Sequence, residues 1–185
     1  MKRLCTVMLA VVAMCCATGV QGQNMYVAVN LPDYFNFGTI NGEFGLSPWP
    51  KWTLYARGRY NPFTFNINGR QLQNRVAAGA VGARYWFWYS GSGWFVNSHF
   101  SYSRFNTAGI INTYAYEGDA YSVSGGGGYS LMLSGKLNMD FALGVQGGYA
   151  GYKKYACPKC GREVAREKKV FVAPSNLLVQ LSLIL

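Results

Sequence analysis

The stretch Leu177-Leu178-Val179-Gln180-Leu181-Ser182-Leu183-Ile184-Leu185 decides the fold that the sequence predicts. Every second residue from 177 to 185 is apolar, and two of the four residues between them, Gln180 and Ser182, are polar. Successive side chains of a strand point to opposite faces of a sheet. The stretch therefore predicts a strand with one apolar face and one mixed face.

The same two-residue period recurs along the chain and predicts eight strands. They span residues 25–31, 40–47, 52–60, 77–89, 94–105, 118–133, 136–152 and 170–185. The connections between them alternate between short turns and longer loops. The longer loops are 32–39, 61–76, 106–117 and 153–169. Outer-membrane barrels have an even strand number, short periplasmic turns and long outside loops, so the alternation favours that architecture.

The polar face of these strands indicates what surrounds them. A water-exposed face normally carries many Lys and Glu residues, whereas this one carries mainly Gly, Ser, Asn and Gln. That composition is typical of a narrow lumen, and eight strands enclose an interior just wide enough for side chains to fill. We therefore predict an all-β fold, an eight-stranded antiparallel up-and-down transmembrane β-barrel with a filled polar lumen.

A few charged residues fall on the predicted lumen face. They are Glu43, Arg57, Arg59, Arg84 and Asp140. Unpaired buried charges cost several kcal/mol, so we expect these side chains to form a network of ion pairs.

The first residues predict the compartment. Lys2 and Arg3 precede an apolar run, 4–17, and small residues near Gly22 offer a cleavage point. We predict a signal peptide over 1–22 and a barrel domain over 23–185. The apolar run is shorter than the roughly 20 residues of a membrane-spanning helix. Cys15 and Cys16 raise a lipoprotein alternative, but Met14 precedes Cys15 where a small residue is required. The expected location is the bacterial outer membrane, with both termini periplasmic.

The formal net charge of the 185-residue chain is +10, and much of the excess lies in the last long loop. Its basic residues are Lys153, Lys154, Lys159, Arg162, Arg166, Lys168 and Lys169. Few aromatic residues are interleaved with them, so the pattern does not favour nucleic acid. It predicts a solvated outer loop, or a cationic collar for the phosphates and acidic sugars of lipopolysaccharide.

The same loop contains Cys157-Pro158-Lys159-Cys160-Gly161. One interpretation is a disulfide that stiffens the loop, worth about 2 kcal/mol in the chain-entropy model. A second is half of a zinc site, because structural zinc takes four ligands and this motif supplies two. A third is a redox dithiol, although the βαβ context of such motifs is missing. We expect no resident cofactor, with zinc at Cys157 and Cys160 only if a partner completes the site.

One pair of residues could carry catalysis. His99 and Ser101 lie two positions apart and therefore on one strand face, an arrangement that suits a base and a nucleophile. A lipid A deacylase-like enzyme would need this pair to meet acyl chains at the barrel wall, whereas we place it on the lumen face. A structural lumen histidine is the alternative that we favour.

Several stretches resemble an uncharacterised Bacteroidetes-type family of small outer-membrane barrels, a domain of unknown function. They are Tyr60-Asn61-Pro62-Phe63, Arg84-Tyr85-Trp86, 93–106, Gly125 to Gly128 and Val172-Ala173-Pro174. The resemblance implies the barrel fold and a link to surface or fimbrial assembly proteins, and it brings no catalytic residues. The expected function is a non-enzymatic structural, adhesion or surface-assembly accessory that acts through four outer loops. The alternative is the lipid-modifying enzyme.

Overall fold

The computed structural model of the chain describes residues 24–67, 70–109, 114–156, 163–175 and 177–185. The predicted signal peptide over 1–22 lies outside these residues, as do Lys159, Arg162 and both loop cysteines, Cys157 and Cys160. Among the described residues, no helix is both long enough and apolar enough to cross a membrane.

The described chain is almost entirely β-strand. The elements are β1 (Asn24–Asn30), α1 (Leu31–Phe35), β2 (Ile40–Trp49), β3 (Trp52–Asn61), β4 (Thr64–Ile67), β5 (Arg70–Trp86), β6 (Gly93–Ala108), β7 (Ala115–Ser134), β8 (Leu137–Tyr155), β9 (Glu163–Pro174) and β10 (Leu178–Ile184). The ten strands form one sheet, in the order β10-β1-β2-β3-β5-β6-β7-β8-β9, with β4 paired to β5. All these pairings are antiparallel.

The pairing closes the sheet into a ring. Strand β10 pairs with β1 on one side and with β8 on the other, so eight strands surround a common interior. Consecutive register partners of Tyr26 around the ring are Gly45, Tyr55, Gly82, His99, Ser124, Gln146 and Ala173. The direct partner of Tyr26 on β10 is instead Ile184. From Ala173, where this path reaches β9, to Ile184 the register shifts by 11 residues over one circuit, and such a shift is typical of strands tilted by about 35–45° to the ring axis.

Burial alternates along the ring strands with the period that the sequence predicts. The large apolar side chains point away from the ring and are exposed. Examples from each strand of the ring are Val27, Phe44, Leu54, Val81, Phe100, Val123, Val145 and Leu183. The side chains that point inward are polar and buried. They include Glu43, Thr53, Arg84, Ser122, Ser124, Asn138, Asp140, Gln180 and Ser182. The ring is thus polar inside and apolar outside.

Inward-facing glycines let β7 and β8 approach each other closely. A Cβ atom on Gly126 would lie 2.4 Å from the carbonyl oxygen of Leu143, and one on Gly144 would lie 2.5 Å from that of Gly125. These contacts are with backbone, which cannot move aside without breaking the ladder. The glycine run 125–128 therefore lies within a strand and opens no helix, so it has a packing role rather than that of a phosphate-binding loop.

Strand β1 ends in a polar seam. The backbone N–H of Asn30 donates to the Asn41 side chain (2.6 Å), and the Asn41 amide donates back to the Asn30 carbonyl (2.9 Å). On the other side, the Val179 N–H donates to the Asn30 side chain (3.0 Å). Where the backbone leaves β1 for α1, hydrogen bonds from the Asn30 and Asn41 side chains thus take the place of strand-to-strand backbone bonds. Buried backbone N–H and C=O groups need such partners. Strand β9 lies at the edge of the sheet, and among the described strands it pairs with β8 only.

Five predicted boundaries were wrong, among them the loop over 106–117, which contains the end of β6 and the start of β7. The loop predicted over 61–76 contains β4 and the first residues of strand β5. The loop predicted over 153–169 contains the end of β8 and the start of β9. The loop over 32–39 contains α1, and the strand over 170–185 is two strands, β9 and β10. Strands β5–β9 extend past β1 and β2, and there polar residues occupy both faces. The apolar alternation that marks a strand is therefore absent from the sequence at this end. We call it the long-hairpin end; it comprises β4 with the start of β5, the ends of β6 and β8, and the starts of β7 and β9.

Candidate functional site

A network of buried charges crosses the ring interior, and Arg84 lies at its centre. The Arg84 side chain is 1% exposed. Its guanidinium donates to Glu43 (Nη2 to Oε1, 2.6 Å) and to Asp140 (Nη1 to Oδ2, 3.1 Å). The Arg57 Nε donates to the other carboxylate oxygen of Glu43 (2.8 Å). Two arginines and two carboxylates therefore neutralise one another away from water, as buried charges require.

Neutral groups form further hydrogen bonds with this network, although the buried Arg84 Nε has no partner among the described residues. Tyr26 donates its hydroxyl to Glu43 (2.7 Å), and the Gln180 amide donates to the same oxygen (2.9 Å) while accepting from Arg84 (2.8 Å). Asp140 accepts from the hydroxyls of Ser130 and Ser182. Aromatic rings flank the Arg84 guanidinium at 5.1–5.6 Å, within cation–π range. They belong to Tyr26, Tyr55 and Phe95.

Of the five charged residues predicted for the lumen, the structure brings Glu43, Arg57, Arg84 and Asp140 together. The fifth, Arg59, lies nearer the long-hairpin end and pairs with the buried Asp33 of α1 (2.8 Å). Sequence reasoning missed Asp33 because α1 interrupts the strand pattern. It also missed Tyr26 and Gln180. The position of Gln180 on the polar face of the last strand was the signal that could have found it.

An apolar plug lies beside the charged network. Trp86, Phe95, Ala142 and Leu178 are all buried and form one cluster. The Trp86 indole N–H donates to the Thr53 hydroxyl (2.9 Å), so its polar atom is also satisfied. Together the plug and the network fill the ring interior at this level.

On the long-hairpin side of the network the interior widens into a cavity of about 250 Å³. Its walls include Arg57, Arg59, His99, Ser101 and Gln146. Arg57 and Arg59 are already paired with Glu43 and Asp33. The polar groups of the cavity are therefore hydroxyl, amide and imidazole groups rather than a free charge, and apolar residues such as Val76, Phe105 and Phe171 complete its walls.

His99 and Ser101 face this cavity but have separate partners. The imidazole of His99 contacts the Ser124 hydroxyl (2.8 Å from Nε2) and the Tyr55 hydroxyl (3.1 Å from Nδ1). The Ser101 hydroxyl is bonded to that of Ser122 (2.7 Å). A nucleophile needs a base within hydrogen-bond reach and a third group that orients the base. The serine hydroxyl within reach of the His99 imidazole is that of Ser124, so the structure does not form the His99–Ser101 pair on which the enzymatic alternative rests.

A family model described as "Protein of unknown function (DUF3575)" matches residues 7–185. The chain belongs to this family. No curated protein and no solved structure shows significant similarity to it. Family membership therefore identifies the relatives of the chain without supplying an activity, and the arguments about function rest on its geometry.

The basic segment predicted as an outer loop is a strand hairpin in its described part. Lys153 and Lys154 lie on β8, and Arg166, Lys168 and Lys169 lie on β9. Lys153 pairs with Glu163 (Nζ to Oε2, 3.4 Å), and the Lys154 ammonium lies 3.9 Å from the centre of the Tyr114 ring. Among the described residues there is no cluster of three or more possible metal ligands.

The outward face at the long-hairpin end passes from aromatic to charged side chains. Tyr102 and Tyr121 are register partners on β6 and β7, with ring centres 5.0 Å apart. Two positions further along these strands, Arg104 pairs with Asp119 (3.1 Å), which also accepts from the Tyr102 hydroxyl (2.7 Å). This pairing at the edge of the apolar face was not predicted from the sequence.

Proposed function

We propose that the protein is a non-enzymatic outer-membrane β-barrel of eight strands, which acts as a structural, adhesion or surface-assembly accessory. The observation that carries the proposal is the reversed polarity of the ring. Exposed apolar side chains surround it on each of its eight strands, while Glu43, Arg84 and Asp140 are buried inside. A soluble monomer rarely exposes an apolar patch larger than a few hundred Å². A lipid environment accounts for this surface.

Closure of the ring supports the same proposal. In hydrocarbon every backbone N–H and C=O must be bonded within the protein, and a closed antiparallel barrel meets this requirement. The ladder β1–β10–β8 completes the circuit. The tyrosines Tyr102 and Tyr121 lie at the boundary between apolar and charged outward positions, which is where aromatic girdles of such barrels lie.

The filled interior argues against a wide pore. Arg84, Glu43 and Asp140 bridge the ring, and Trp86 and Phe95 occupy the space beside them. We therefore propose that the protein binds its partners through the long-hairpin end. We place this end at the cell surface, because the connections at the opposite end are short, as periplasmic turns are. The partners proposed there are lipopolysaccharide and surface or fimbrial assembly proteins.

Cell fractionation tests the proposal. The tagged full-length chain is expected in the outer-membrane fraction, and its folded form should migrate differently on unheated and heated gels, as a detergent-resistant barrel does. The His99→Ala/Ser101→Ala variant should insert equally and leave the lipid A acyl pattern unchanged. Recovery of the wild-type chain as a soluble periplasmic protein would contradict the membrane proposal. A change in lipid A acylation that depends on His99 and Ser101 would support the enzymatic alternative instead.

A further inference from the structure

We propose that the free edge of β9 binds an extended acidic segment of a partner protein by adding it as a further strand. This inference rests on the proposed function, because it names the chemistry of the partner that the surface end would engage. A strand with unpaired backbone groups is a template for another strand. The part of the edge in question is at Arg166 and Lys168, because the register places Val170 level with Tyr102 and Tyr121, at the proposed boundary of the lipid.

The register determines which backbone groups of β9 are available. The Ser175 N–H donates to the Gly144 carbonyl (2.8 Å), and Gln146 and Ala173 are register partners. In an antiparallel ladder, hydrogen-bonded pairs alternate with pairs whose N–H and C=O groups point away. The odd-numbered residues of β9 therefore bond to β8. The even-numbered residues point their backbone groups to the side where the described chain has no further strand. They are Arg166, Lys168, Val170 and Val172.

The position of Pro174 agrees with this assignment. Pro174 is the register partner of Val145 and is even-numbered, so its nitrogen faces the free side. Proline lacks an N–H and is tolerated in a strand where no ladder bond is needed, which is at an edge. The sequence thus marks the same side of β9 as unpaired.

The charge of the β8–β9 hairpin indicates the charge of the partner segment. The described parts of β8 and β9 from residue 153 to 169 carry five cationic side chains and two carboxylates. Both carboxylates are engaged, Glu163 with Lys153 and Glu167 with the Tyr152 hydroxyl (2.7 Å). Arg166, Lys168 and Lys169 are exposed and have no ion-pair partner among the described residues. Opposite charges on neighbouring strands stabilise pairing, and like charges oppose it. An acidic strand fits, and a second copy of this basic strand does not.

The test uses the full chain folded in detergent micelles. The probe is a fluorescent peptide of about nine residues, a typical strand length, in which glutamate alternates with valine. Lys168→Ala removes one charge and keeps the backbone N–H. Lys168→Pro removes the same charge together with the N–H that faces the free edge, while the bonds to β8 remain. We expect Lys168→Ala to weaken binding severalfold and Lys168→Pro to weaken it about tenfold further.

A second probe keeps the test independent of the folding of the proline variant. N-methylation of alternate peptide residues blocks one hydrogen-bonding edge of the peptide and leaves its charge unchanged. We expect the peptide methylated on the pairing edge to lose binding, and the peptide methylated on the opposite edge to retain it. Amide exchange at Arg166 and Lys168 should slow only when the active peptide is bound.

The proposal is overturned if both methylated peptides bind equally well, or if Lys168→Ala and a folded Lys168→Pro variant bind alike. Either result would mean that the cations attract anions by charge alone, as lipopolysaccharide phosphates would be attracted. Heat-dependent gel migration of each variant reports barrel folding separately. A folded, membrane-inserted protein that does not bind the peptide therefore contradicts this inference and leaves the proposed membrane function intact.

Discussion

Replacing Arg84 with methionine is expected to lower the free energy of unfolding by about 3–5 kcal/mol, because it leaves buried carboxylates without their counter-charge. Glu43 would keep Arg57 as a partner, whereas Asp140 would keep only the hydroxyls of Ser130 and Ser182. Methionine has a similar length and fills much of the same space, so the loss reports charge rather than a large cavity. Equilibrium unfolding in urea, followed by gel migration in phospholipid vesicles, measures the effect.

The matched control for this prediction is Arg104→Met. Arg104 also pairs with a carboxylate, Asp119, but its side chain is 70% exposed. Water screens an exposed ion pair, so this variant should unfold at the same urea concentration as the wild-type protein. If Arg84→Met were as stable as Arg104→Met, the central role assigned to the interior network would be incorrect.

The second large effect is expected on the outside of the ring. Val145 lies in the middle of the apolar outward face of β8 and is 64% exposed. An exposed valine in water can become arginine at little cost, whereas an arginine facing lipid at the bilayer midplane costs about 2–4 kcal/mol. We therefore expect Val145→Arg to lower the free energy of unfolding in phospholipid vesicles by about 2–4 kcal/mol.

Val164 provides the comparison for the Val145 variant. It is 54% exposed and lies on β9 beyond the proposed boundary of the lipid. Val164→Arg should leave stability in the same vesicles unchanged. Equal effects of the two arginines, large or small, would show that exposure alone determines their cost and would argue against lipid contact at Val145.

The faces of the ring strands could be predicted from the sequence because a strand has a period of two. In β3, Trp52 and Leu54 are exposed while Thr53 and Tyr55 are buried, in the predicted alternation. The same signal fails where both faces meet water. The first part of β9, from Glu163 to Lys169, carries charged or small residues at most positions, so its sequence resembles that of a loop. The lengths of the hairpins at this end could not be predicted for that reason.

The candidate site could be predicted in outline from the rarity of charges on the polar face. That argument selected Glu43, Arg57, Arg84 and Asp140, which meet in the interior. It could not assign partners, because the partners depend on the register around the ring. Arg59 illustrates this limit. It follows Arg57 on the same face of β3, yet it pairs with Asp33 of α1, an element that the periodicity did not indicate.

The most direct test of the central claim is to measure which face of β8 touches lipid. Single cysteines at Leu143 and Gln146, in a chain whose other cysteines are replaced by serine, would each carry a fluorophore in vesicles of brominated phospholipid. Leu143 points outward and Gln146 lines the interior cavity. Strong quenching at 143 with little at 146 is the result that a lipid-embedded barrel predicts. Equal quenching at both positions, or no quenching at 143, would contradict it.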